Sequence, residues 1–144
     1  MFKNVLLVLL AAAVLTGIII VNRDNCNMVC FENNCFEVEI ASSGEEKKQG
    51  LKNRKSLSPN EGMLFIYPEQ DQRSFWMKDV LIPLDIIWID SSKKAVFIKK
   101  NAQPCKENCI FFKPEQKAKY VLELKGGTCE KIGLKQGNKL NFDL

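Results

Sequence analysis

The chain has no histidine. That absence removes the Ser-His-Asp triad, the Cys-His nucleophile pair and any histidine-ligated metal from the chemistry available in cis. A strong excess of charge of one sign is missing too. There are 21 Lys plus Arg against 17 Asp plus Glu in 144 residues, a net charge of +4, too small and too mixed to argue for nucleic acid as a partner. Repeats and low-complexity tracts are also absent. What is there, 46% apolar and 26% charged residues, is the ordinary composition of one domain large enough to bury its own core.

One apolar run stands out. Val5 to Val21 is broken only by Thr16 and Gly17 and is preceded by a single side-chain charge, Lys3. As a helix it is roughly 26 Å long, the lower edge of what spans a hydrocarbon core, and it has no polar face to suit a soluble core helix. No small-x-small pattern lies near its end, so an uncleaved transmembrane anchor is favoured over a cleaved signal, which would leave a secreted protein. Residues 1–21 are thus read as the membrane segment, 22–34 as a cysteine-containing linker, and 35–144 as a single β-rich domain.

All six cysteines follow that run. An even count beyond an export signal reads as disulfides in an oxidising compartment, with the domain facing the extracytoplasmic side. The preferred pairing is Cys30 with Cys35 and Cys105 with Cys109 across short turns, which leaves Cys26 with Cys129. Their spacings are not the paired Cys-x2-Cys knuckles of structural zinc, so no metal and no cofactor is expected.

Phe36, Val38 and Ile40 alternate with Glu37 and Glu39, the period of a half-buried strand. Ser43 followed by Glu46 has capping-box spacing and opens a helix toward Lys52, with Leu51 turned to the core. Further strands are read at Met63–Tyr67, Ser74–Met77, Leu84–Ile89, Ala95–Ile98, Tyr120–Leu124 and Leu140–Leu144, with Leu84–Ile89 and Ala95–Ile98 as a central hairpin covered on both faces. Thr128 caps a short helix that Gly133 ends. About seven short strands with one or two short helices give an α+β, mostly β domain, a small curled or barrel-like sheet preceded by the transmembrane helix.

In order along the chain stand Gly50-Leu51-x-x-Arg54, Gly62-Met63-Leu64-Phe65, Phe75-Trp76-Met77-Lys78, Ile82-Pro83-Leu84-Asp85-Ile86, Pro104-Cys105, Tyr120-x-Leu122-Glu123 and Gly133-Leu134-x-x-Gly137. In these the chain resembles the prokaryotic family called domain of unknown function 192, over nearly all of Cys35 to Asp143. It departs from the family at Lys52-Asn53, Asp79-Val80 and Asn138. The resemblance implies a small, exported, often membrane-anchored β-rich domain and carries no activity with it.

Arg54, Trp76, Met77, Lys78, Asp79, Asp85 and Glu123 are the candidate ligand-binding residues. Trp76, among Arg73, Lys78 and Asp79, suits a stacking floor for a sugar ring or a lid over the core. Trp88 reads as core. Asp85 enters the most apolar strand, so its carboxylate needs a partner: turn amides around Val80 to Ile82, or Lys78 or Arg54. Glu123 shares a strand face with Val121 and either faces solvent or joins that site. These residues favour a membrane-tethered, non-catalytic module for an envelope carbohydrate or a protein partner. The alternatives are a hydrolase using Asp85 and Glu123, and a structural or assembly role.

Overall fold

The computed structural model describes residues 27–144. Among them no helix is long and apolar enough to cross a membrane; the run Val5 to Val21 and Cys26 lie outside the described residues. Six strands form one mixed sheet: β1 (Met28–Phe31), β2 (Asn34–Ala41), β3 (Glu61–Asp71), β4 (Leu84–Ile89), β5 (Ala95–Ala102) and β6 (Ala118–Lys125), in the order β1-β2-β3-β6-β4-β5. Two short helices accompany them, α1 (Gly44–Gln49) and α2 (Thr128–Ile132).

The sheet starts earlier than Cys35. Val29 and Phe31 are buried, and β1 pairs antiparallel with β2 within the segment expected to be a linker. The Cys30–Cys35 disulfide clips this hairpin, and a second disulfide joins Cys105 to Cys109. From β2 the chain passes through α1 to β3, which lies parallel to β2. The capping box forms as the spacing predicts: Ser43 Oγ accepts from the Glu46 amide, and the Glu46 carboxylate accepts from the Ser43 amide. Gly50 then ends the helix at φ +48°, and Leu51 drops into the core.

β4 is buried at every position. The hairpin it forms with β5 is not covered on both faces throughout, however, because β5 is the sheet edge. Only Ala95 and Ala102 of β5 are buried, and Lys100 is exposed there, a charge that guards an open edge against further pairing.

Two of the seven expected strands are absent as strands. Ser74–Met77 makes one bridge, Phe75 with Phe112. Both edges of β3 are already taken by β2 and β6, so this segment crosses the face of the sheet instead of extending it. Residues 139–142 likewise make isolated bridges: Lys139 pairs with Lys94, just before β5, and Asn141 pairs with Cys30 in β1.

That second pair of bridges measures the curl. In a flat six-stranded sheet the two edges lie about 24 Å apart, yet residues two apart in sequence span at most about 7 Å. The sheet is therefore strongly curled, while its edges meet only through the C-terminal segment and it does not close into a barrel.

Strand alternation sorts the apolar residues into two cores. Val38, Leu64, Ile87, Leu122 and Leu124 face one side, covered by Leu134, Leu140 and Phe142. Met63, Phe65, Ile86, Trp88 and Val121 face the other, covered by Leu51, Leu57, Phe75, Met77 and Val80.

Candidate functional site

Glu123 belongs to the second face. It lies opposite Met63 of β3 and Ile86 of β4, in the middle of the sheet, and is only 4% exposed. The alternation that separates it from Leu122 and Leu124 was readable in the sequence, but the outcome was not: the side facing away from the Tyr120, Leu122 and Leu124 core is covered too. Burial alone pushes the carboxyl up to about 8, with no hydrogen-bonding or charged neighbour offsetting it. At neutral pH it is therefore chiefly a neutral acid, able both to donate and to accept a hydrogen bond.

Its carboxyl forms part of the floor of an open pocket of about 190 Å³. Phe65, Tyr67, Phe75 and Trp76 contribute aromatic walls, and Lys47, Lys48 and Lys52 come from α1 and the turn after it. Tyr67 follows Met63 and Phe65 along β3 at the same two-residue spacing. Burial raises its phenol, which the Arg73 guanidinium opposes and Glu123 reinforces. Arg73 lies 3.9 Å from the Tyr67 ring centroid, and the Lys47 ammonium 4.6 Å.

Trp76 is half-buried, with its indole stacked on Phe111 at 4.7 Å between centroids and 14° between planes. Lys78 and Lys52 place ammoniums 5.3 and 5.9 Å from the same ring. Phe111 is 59% exposed and its neighbour Ile110 70%, so the rim beside the pocket is apolar. The Cys105–Cys109 loop is pinned there, since Cys105 donates to the Met77 carbonyl at 3.2 Å and Asp79 donates to the Cys105 carbonyl at 3.1 Å. Trp76 is therefore not a bare stacking floor: one face already carries Phe111.

The remaining candidates go elsewhere. Asp85, 0% exposed, accepts from the amides of Asn101 at 2.7 Å, Gly127 at 3.1 Å and Cys129 at 2.6 Å. These amides are not those of Val80 to Ile82, and neither Lys78 nor Arg54 is the partner. Asp85 caps α2 from another strand, in place of the Thr128 side chain, which makes no cap bond. Arg54 forms a two-pronged pair with Glu39, one prong at 2.6 Å, which holds the Glu39 carboxyl below its usual range. Met77 is core. Asp79 takes φ +61°, a left-handed conformation that Asp and Asn tolerate best, and its carbonyl accepts from the Asn53 amide at 2.9 Å. Trp88 is core, its indole N–H donating to the Arg73 carbonyl at 2.8 Å.

Asp85 and Glu123 do not meet. Glu123 is opposite Ile86 and Asp85 is opposite Leu124, so the two carboxyls project from opposite faces of the sheet. A hydrolase that works both on one bond is not assembled here. Of the candidates, only Trp76 and Glu123 share the pocket. Phe65, Tyr67, Phe111 and the three lysines were not singled out from the sequence; the two-residue spacing from Met63 to Tyr67 was the one available signal.

Comparison with known proteins places this architecture. No curated protein matches the chain. A crystal structure from Sinorhizobium meliloti 1021, described as a candidate transcription regulator, is 31% identical, with 81% of this chain and 90% of that one covered at a TM-score of 0.71. A protein of unknown function from Novosphingobium aromaticivorans DSM 12444 is also 31% identical, with 81% and 83% covered at a TM-score of 0.71. The model of domain of unknown function 192, described as "Uncharacterized ACR", matches residues 28–142, and the chain belongs to that family.

Proposed function

We propose that the protein is a non-catalytic binding module, tethered to the membrane by Val5 to Val21 with its domain on the extracytoplasmic side, whose ligand enters the pocket below Trp76. The observation that carries this reading is Glu123, a buried carboxyl with no polar partner that opens into an aromatic pocket. An uncompensated buried acid costs stability, and a ligand that hydrogen-bonds it recovers part of that cost. Two disulfides and the apolar run support the extracytoplasmic placement. With Phe111 on one face of Trp76, the ligand presents a small, ring-sized group to the pocket. That group is free or sits at the end of an envelope carbohydrate or a partner protein.

The test is a titration of the full-length chain in detergent with small envelope-derived molecules, read by tryptophan fluorescence. Saturable binding lost in Trp76→Ala, and altered in strength or in pH dependence in Glu123→Gln while the fold persists by circular dichroism, supports the reading. Binding that survives both substitutions contradicts it.

A further inference from the structure

The pocket also says something about the charge and size of what it holds. Resting on the reading above that this pocket is the ligand site, we propose that it takes a small single-ring acid. Such a ligand has an apolar ring, a hydrogen-bonding group that meets Glu123 at the floor, and one negative charge left at the lysine mouth.

Size comes first. At about 190 Å³ the cavity is somewhat larger than the roughly 150 Å³ that holds a benzene ring in a protein interior and smaller than a drug-sized site. One ring fits inside, and any longer ligand has to extend out of the mouth. The lining comes next. Four aromatic side chains face a ligand body that needs few hydrogen bonds, and besides the lysines and Gln49 the polar side chains of the lining are Glu123, Tyr67 and Ser74.

Charge decides the class. The charged or titratable groups that line the pocket with Glu123 are Tyr67 from β3 and Lys47, Lys48 and Lys52 from α1 and the turn after it, with Arg73 on the Tyr67 ring; none of the cations offsets the burial of Glu123 itself. The β4 neighbour is the apolar Ile86. None of the three lysines is in an ion pair among the described residues, so the mouth is cationic around a floor that is mostly uncharged at neutral pH. An entering cation meets three ammoniums and then has to ionise a desolvated acid. An anion is drawn to the mouth and keeps its charge there, while the neutral floor donates a hydrogen bond to its far end. Ionising Glu123 removes that donor and adds repulsion, so binding weakens as pH rises past about 8.

Three probes of one shape separate the possibilities: 4-(hydroxymethyl)benzoate, the neutral 1,4-benzenedimethanol and the cationic 4-(aminomethyl)benzyl alcohol. Each is titrated into the full-length chain in detergent, with the indole N–H signal of Trp76 followed by NMR. Near pH 6.5 the benzoate should bind about tenfold more tightly than the diol, and the amine most weakly. Moving to about pH 9 should weaken the benzoate about tenfold, following the protonated fraction of Glu123. Glu123→Gln, checked for fold by circular dichroism, should keep benzoate binding and lose its pH dependence, and Lys48→Glu with Lys52→Glu should invert the order of benzoate and amine. An amine that binds best to the natural chain overturns the acid class while leaving the site in place. A benzoate affinity that does not change with pH overturns the part given to Glu123. No binding by any of the three overturns both this inference and the site it rests on.

Discussion

Asp85 and Glu123 are two buried acids 38 residues apart whose environments give them opposite tasks. Asp85 accepts three backbone amides, two of them at the start of α2. Asp85→Asn replaces an acceptor-only group with one that must turn an N–H toward other donors, so it should cost about 2 to 4 kcal/mol in denaturant unfolding and leave pocket binding intact in the folded fraction. Glu123 has no such partners. Its folded-state value near 8 lies above the ordinary 4.5, so between those values the folded protein holds a proton that the unfolded chain has already released. Its contribution is therefore complete below about pH 4.5 and is lost as pH rises to about 8, on the order of 5 kcal/mol. Unfolding followed from pH 5 to pH 9 should show that fall in the natural chain and a markedly flatter profile in Glu123→Gln. The sequence made both acids conspicuous, because each interrupts an apolar run. It did not say which amides Asp85 would meet, because those come from residues 16 to 44 positions later that only the tertiary fold brings close.

At the level of elements, local rules held in most places where the deciding groups were neighbours in the chain, the Thr128 cap being the exception because Asp85 takes its place. The Ser43–Glu46 box, the Gly133 stop at φ +73° and the two short-range disulfides needed no tertiary information. Ser74–Met77 alternates like a strand, but both sides of β3 are taken by β2 and β6, and Leu140–Leu144 reaches the outer edges only as single bridges divided between two of them, outcomes decided by the order of distant strands. Gly62 shows the same dependence: a Cβ there would sit 2.6 Å from the Glu123 carbonyl oxygen, so the glycine in Gly62-Met63-Leu64-Phe65 lets β6 approach closely. The Cys105–Cys109 loop is the element that holds the rim. Cys105→Ser with Cys109→Ser should lower stability by about 2 kcal/mol, given so short a closed loop. It should also release Phe111 from Trp76, seen as a shift in tryptophan emission, with weaker ligand binding.

At the largest scale, the described residues form a curled sheet with a core on each face, and the C-terminal segment ties its two edges. Removing residues 139–144 deletes the buried Leu140 and Phe142 together with both edge bridges. It should cost more than about 4 kcal/mol, or prevent folding, in a comparison of melting curves. Curling and mostly β content were legible from the short, closely spaced strands. A second covered face was read only for the β4–β5 hairpin; that it extends over β6 was not, and there it buries Glu123 and forms the pocket. The most direct test of this account is therefore the titration of the Glu123 side-chain carboxyl by carbon-13 NMR in the ligand-free protein, with Glu123→Gln used to assign the signal. A midpoint near 8 is the predicted result, and a midpoint near the ordinary 4.5 would contradict it.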